Sequence, residues 1–186
     1  MNRLTVTDLP MAGLKRITRQ HLGDNRGFLT RIFCAEELTA AGWVDPIIQI
    51  NHTYTARKGT VRGMHFQYPP EAEMKLVTCI RGEVWDVAVD LRSDSPTFMH
   101  WHAEHLSAAN GRALLIPEGF AHGFQALSDD VELLYAHTRS YIAEAEGGLN
   151  PKDSNLGITW PLEITEISDR DSRHPLITPE FKGVKI

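Results

Sequence analysis

Arg62, His65 and Lys75 are a base and two cations, the parts needed to remove a proton from carbon beside a carbonyl and hold the enolate oxygen that results. Arg62 and His65 lie in the run Gly59-Thr60-Val61-Arg62-Gly63-Met64-His65-Phe66-Gln67, and Lys75 follows shortly after. A second run, Ile116-Pro117-Glu118-Gly119-Phe120-Ala121-His122-Gly123-Phe124, adds a histidine on a glycine-flanked turn, where backbone can approach a ligand closely. Each of these residues also has a plainer reading. A lone strand histidine is usually a satisfied core residue, and Lys75 could pair with Glu71, Glu73 or Asp86. His122 could bond a backbone carbonyl, and Tyr135 and Tyr141 could be ordinary amphipathic strand residues. What favours chemistry is proximity. A cation beside an imidazole favours its neutral, basic form, and a lysine aimed inward is costly without an anion to meet it.

Other chemistries find less support. His100-Trp101-His102 with His105 and Glu104 is the only stretch that resembles the start of a metal site. A half-exposed polar strand face accounts for it better. No Gly-x-Ser-x-Gly run, phosphate loop or dinucleotide fingerprint occurs. The net charge of −5, with both signs interspersed, argues against nucleic acid but leaves room for an anionic small ligand. No apolar stretch approaches the length of a membrane span and no secretory leader is visible, which predicts a cytoplasmic location. Cys34 and Cys79 sit in apolar contexts and read as buried free thiols.

The elements that must position these groups are short strands. The 186 residues, 42% of them hydrophobic, suit one domain, taken as residues 1–186. Turn residues divide the chain into strands expected at 27–34, 47–55, 60–67, 74–80, 83–91, 98–106, 112–116, 122–127 and 131–139. Asn110-Gly111 carries a hairpin signal. The pattern predicts an all-β antiparallel sandwich or barrel. One helix is expected at Ala35 to Ala41, and the tail after Trp160-Pro161 reads as loops with at most a short helix. Period-2 alternation puts Lys75, Val77 and Cys79 on one face, and Val131, Leu133, Tyr135, His137, Arg139 and Tyr141 on another. Arg62 and His65 have opposite parity, and a bulge at Gly63 would bring both into one cavity.

Blocks spread across Asp24 to Pro161 resemble the dTDP-4-dehydrorhamnose 3,5-epimerase family. They include Asp24-Asn25-Arg26-Gly27-Phe28, Gln49-Ile50-Asn51-His52, the two histidine runs, Lys75-Leu76-Val77, Gly82 to Asp90 and Ser95-Pro96-Thr97-Phe98. The resemblance implies a cupin jelly roll and a homodimer with an exchanged N-terminal strand. It also implies a site without metal or cofactor and a nucleotide-diphospho-sugar substrate. His65 then matches the general base and Tyr135 the proton donor, with Arg62 and Lys75 beside the C4 oxygen. Asp171 matches the carboxylate that orients the base, with Asp169 as fallback. Arg26, Gln49, Asn51, His122, Tyr141 and Glu146 match positions that line the substrate site.

The chain departs from the family pattern at Arg31, at Ile50 and in Ser140-Tyr141. These departures bear on recognition and leave the proton-transfer groups intact. The reaction the resemblance implies is cofactor-free inversion at C3 and/or C5 of a nucleotide-diphospho-4-keto-6-deoxy sugar, foremost dTDP-4-dehydro-6-deoxyglucose to dTDP-4-dehydrorhamnose. Inversion of one carbon, 3,4-keto migration, and a non-catalytic or metal-dependent cupin are the alternatives.

Overall fold

A computed structural model describes residues 2–186. In chain order the elements are β1 (Leu4–Asp8), β2 (Lys15–Arg19), β3 (His21–Asp24), β4 (Gly27–Thr30), α1 (Ala35–Thr39), β5 (Gln49–Thr55), β6 (Thr60–Gln67), β7 (Lys75–Arg81) and β8 (Glu83–Asp90). There follow β9 (Trp101–Ser107), β10 (Arg112–Ile116), β11 (Phe120–Ala126), β12 (Val131–His137), β13 (Glu146–Gly148), β14 (Glu166–Ile167) and α2 (Asp169–Ser172). One sheet runs β1-β2-β10-β7-β12-β5; the other runs β13-β6-β11-β8-β9, with β14 parallel to β6. This is an all-β jelly roll with two short helices, as expected. No helix among the described residues is long and apolar enough to cross a membrane.

Most tight turns carry the chain from one sheet to the other. β6 to β7, β7 to β8, β9 to β10 and β11 to β12 all switch sheets. The Asn110-Gly111 turn is therefore a sheet-crossing corner and not the hairpin its residues suggest. The Asn110 side chain stabilises it by accepting from the N–H groups of Ser107 and Arg112. Turn chemistry sets the local reversal, and the burial of both flanking strands decides which sheet each joins.

Alternation explains where the sandwich is solid and where it is hollow. Val131 and Leu133 of β12, Cys79 and Val77 of β7, and Phe124 of β11 are almost fully buried between the sheets. Further along the same inward faces the side chains turn polar: Tyr135 and His137 on β12, and Lys75 on β7. Register aligns them in rows across the first sheet. Tyr135 pairs with Val77 and Asn51, and His137 with Lys75 and Gln49. Polar residues cannot close-pack as the aliphatic ones do, so this end of the sandwich holds a cavity.

Cys34 and Cys79 are both free thiols, and burial pushes the Cys79 thiol up to about 11.

Candidate active site

The cavity measures about 720 Å³, within the usual range for small-molecule sites. Every residue expected at the site lines it except Arg26.

His65 and Arg62 reach it together because β6 bulges. His65 pairs with His122 and Arg62 with Phe124, so two β6 residues oppose the single Gly123. Gly63 has φ +123°, and a Cβ there would lie 2.5 Å from the Gly123 Cα. Only glycine fits so close a strand crossing, and the bulge flips the parity that a regular strand would impose.

Behind His65 stands Asp171. The His65 Nε2 lies 2.8 Å from Asp171 Oδ1, and the other carboxylate oxygen accepts the Gly63 N–H at 3.1 Å. Local rules deliver the carboxylate there. β14 lies parallel to β6, and Ser168 then caps α2 by accepting the Asp171 N–H. Burial works against ionisation of Asp171. The His65 hydrogen bond and charge, the Gly63 N–H and Arg170 outweigh it and bring its pKa to about 2. An ionised carboxylate keeps the proton on the ring nitrogen it faces, leaving the other nitrogen's lone pair for a substrate. Asp169, the fallback for this position, is exposed and pairs with Arg173.

Across the cavity, Tyr135 is almost fully buried with its ring 5.8 Å from His122. Burial, reinforced by the Asp86 carboxylate, pushes the phenol well above its usual value, so it is a protonated donor at neutral pH. His122 lies within strand β11 and not on a turn, and it bonds the carboxylate of the fully buried Asp86 at 2.8 Å where the plainer reading expected a backbone carbonyl. Lys75 pairs with Glu73 at 2.8 Å, both buried. The ion pair expected as an alternative thus coexists with a place on the cavity wall. Arg62 is held by Thr55 Oγ1 at 3.0 Å and the Tyr54 carbonyl at 3.2 Å. At the mouth, Tyr141 donates its N–H to Gln49 Oε1 and its hydroxyl to Glu146.

Four features singled out in the sequence lie apart from this cavity within the single chain. Arg26 sits on the exposed β3–β4 ribbon, paired with Asp24 and away from the cavity, because that ribbon joins neither main sheet. Arg31 is not among the residues lining this cavity. It pairs with Glu37 of α1, whose carboxylate also accepts the N–H groups of Arg3 and Leu4. Ile50 alternates between Gln49 and Asn51 and is exposed on the opposite face of β5. β1 pairs with β2 of its own chain.

His102 and His105 bond Glu104 and Glu83, the polar strand face expected. Among the described residues, metal-ligand spacing occurs instead at His65, Asp171 and His174. Arg170 stands at that cluster, its Nη2 3.1 Å from His65 Nε2. A guanidinium against the imidazole suits anionic substrate better than a resident cation.

Sequence reasoning gave no site role to Arg170, Glu73 or His137. Each was visible: Arg170 adjoins Asp171, Glu73 was a named partner for Lys75, and His137 shares the parity of Tyr135.

A jelly roll whose hollow end gathers a carboxylate-backed histidine, a buried tyrosine and several cations is a cupin-type enzyme. A family model for dTDP-4-dehydrorhamnose 3,5-epimerase matches residues 8–178. The chain belongs to that family, a group of isomerases acting on carbohydrates. The dTDP-4-dehydrorhamnose 3,5-epimerase of Sinorhizobium fredii is 40% identical over 191 residues, covering 100% of this chain and 97% of the relative. The crystal structure of the Bacillus anthracis dTDP-4-dehydrorhamnose 3,5-epimerase with TDP and pyrophosphate bound superposes with a TM-score of 0.90 at 38% identity. It covers 94% of this chain and 99% of that one. The Legionella pneumophila dTDP-6-deoxy-D-glucose-3,5-epimerase, solved with dTDP-4-keto-L-rhamnose, gives 0.88 at 38% identity, over 93% of this chain and 92% of that one.

Proposed function

We propose that this protein inverts C3 and C5 of dTDP-4-keto-6-deoxyglucose, producing dTDP-4-keto-rhamnose by proton transfer. The observation that carries the reading is a base and an acid on opposite walls of one cavity. His65 with its Asp171 partner is on one side and the buried phenol of Tyr135 on the other.

Neutral His65 removes the proton from a carbon flanking the keto group, and the electron pair moves onto the C4 oxygen. Lys75 and Arg62 stabilise that oxyanion; a preorganised donor of this kind contributes about 3–4 kcal/mol. Tyr135 then protonates the opposite face of the same carbon. The imidazolium and tyrosinate return to their starting states by proton exchange through the cavity before the second inversion. Gln49, Asn51, His122, Tyr141 and Glu146 bind the substrate around these groups. Of the departures, Arg31 and Ile50 lie off this cavity while Tyr141 lines it, so any altered recognition falls to the Ser140-Tyr141 change.

The protein works as a homodimer in this proposal, with the β3–β4 ribbon as the exchanged segment. Leu22, Phe28 and Leu29 of the ribbon are exposed, as are Ile50 of the edge strand β5 and Ile48 just before it. Apolar surface of this kind marks an interface.

The test is NMR of dTDP-4-keto-6-deoxyglucose with the enzyme in D2O. Deuterium should enter at both C3 and C5 as the rhamno product appears. Exchange at one carbon alone would make the protein a mono-epimerase, and migration of the keto group would make it a ketoisomerase. Activity lost to a chelator and restored by zinc or iron would replace the metal-free mechanism.

A further inference from the structure

His137 stands among groups that the proposed reaction employs, yet that reaction assigns it nothing. The register of β7, β12 and β5 places it between Lys75 and Gln49 across the sheet, and Tyr135 lies two residues back on its own strand. Its ring lies nearly parallel to that of Tyr135, at 17° and 6.1 Å. Asn51 approaches from the next row, its Nδ2 3.5 Å from the His137 Nε2. A side chain enclosed by a keto-oxygen cation, a proton donor and two amide ligands lies against the same part of the substrate they do.

A chain of hydrogen bonds fixes what it presents. The Tyr141 backbone N–H can only donate, so it sets Gln49 Oε1 as acceptor at 2.9 Å. Gln49 Nε2 therefore donates to Asn51 Oδ1 at 3.0 Å. Asn51 is thereby oriented with Nδ2 toward His137, where it makes a long contact with Nε2. In that arrangement Nε2 accepts and the ring proton resides on Nδ1, a neutral donor.

We propose that His137 is a specificity-determining residue that donates a hydrogen bond to an uncharged oxygen of the sugar, next to the keto oxygen held by Lys75. This rests on the nucleotide-sugar reading above. Burial, then Lys75, then His122 push the imidazole down to about 4, so it does not compete with Lys75 as a second cation. The division of labour is chemical. Arg62, Lys75, Arg139 and Arg170 supply positive charge around the cavity, suited to diphosphate and enolate. His137 supplies an uncharged donor, suited to a hydroxyl.

Calorimetric titration of wild type, His137→Val and His137→Asn with dTDP and with dTDP-glucose tests this. The first ligand lacks the sugar; the second carries the sugar hydroxyls but no keto group and is not turned over. His137→Val should bind dTDP within about twofold of wild type and dTDP-glucose about 5–30-fold more weakly, the range for one neutral hydrogen bond with a buried partner. His137→Asn, which keeps a donor, should recover part of that loss. Unchanged dTDP-glucose affinity in His137→Val would overturn the proposal. So would an equal loss for both ligands, because the residue would then act on the nucleotide or on folding. Wild-type protein that binds neither ligand would instead sink the nucleotide-sugar reading itself.

Discussion

Tyr135 is the residue whose role can be separated most cleanly, because base and acid face the sugar from opposite sides. In Tyr135→Phe the enolate still forms, since His65, Lys75 and Arg62 remain. His65 can then return the proton to the face it came from. In D2O this variant should wash deuterium into the substrate faster than it makes epimer, with the inverting step slowed by about 10²–10⁴-fold. Exchange and inversion falling together would mean that Tyr135 helps to form the enolate. Asp171 offers a second test at this scale, in two readouts. Asp171→Asn presents an amide where a carboxylate selected the tautomer, and turnover should drop by at least about 10²-fold. The same carboxylate is linked to stability. Its folded pKa, about 2, lies below the ordinary value near 3.9, so its contribution is complete above about pH 4 and fades as pH falls toward 2. Denaturant titrations of wild type and variant should differ most near neutrality and converge in acid. A gap that stays constant across that range would break the link.

At the scale of elements, the bulge in β6 does the positioning, and Gly63 makes the bulge. Gly63→Ala forces a Cβ into backbone at a φ of +123°. The variant should lose about 2–3 kcal/mol of stability, read by chemical denaturation. It should also lose turnover beyond what its folded fraction explains, because Arg62 and His65 no longer share a cavity. An alanine variant of wild-type stability would show that the crossing can relax. Much of this was readable beforehand. The β6 and β10 boundaries, the inward parity of Lys75 and Tyr135, and the need for a bulge at Gly63 all follow from period and residue type. The edges were harder. β1 and β2 each bury a single aliphatic, Leu4 and Ile17, too few for alternation to register. Asn110-Gly111 reads the same whether its strands pair or part, since turn residues report reversal and not sheet membership. The tail that carries Asp171 has no period, because it is held by one cap and two residues of parallel pairing. Its one local signal was Ser168 three residues before a carboxylate.

Among the described residues, the β3–β4 ribbon is the piece of sheet that joins neither main sheet. β3 and β4 pair only with each other, and Phe28 and Leu29 are about two-thirds exposed at 65% and 62%. Arg26 at its tip bonds only Asp24, an exposed ion pair worth little to stability. A monomer gains nothing from presenting an arginine and two large apolar side chains on a free ribbon. A dimer gains both an apolar contact and an arginine delivered to the neighbouring cavity, where a diphosphate would meet it. If the proposed dimer forms through this ribbon, Phe28→Asp places a charge in that contact and should shift the protein to monomer in sedimentation or light scattering. Arg26→Ala should leave the dimer intact and raise KM for the nucleotide sugar by about tenfold, the order expected for a charge-assisted hydrogen bond. The two variants separate assembly from binding. If the proposal holds, Phe28→Asp monomers lose affinity for dTDP at least as severely as Arg26→Ala dimers, since they lose the arginine along with the subunit that carries it. Monomers of full affinity would make each cavity self-sufficient and remove Arg26 from the site altogether.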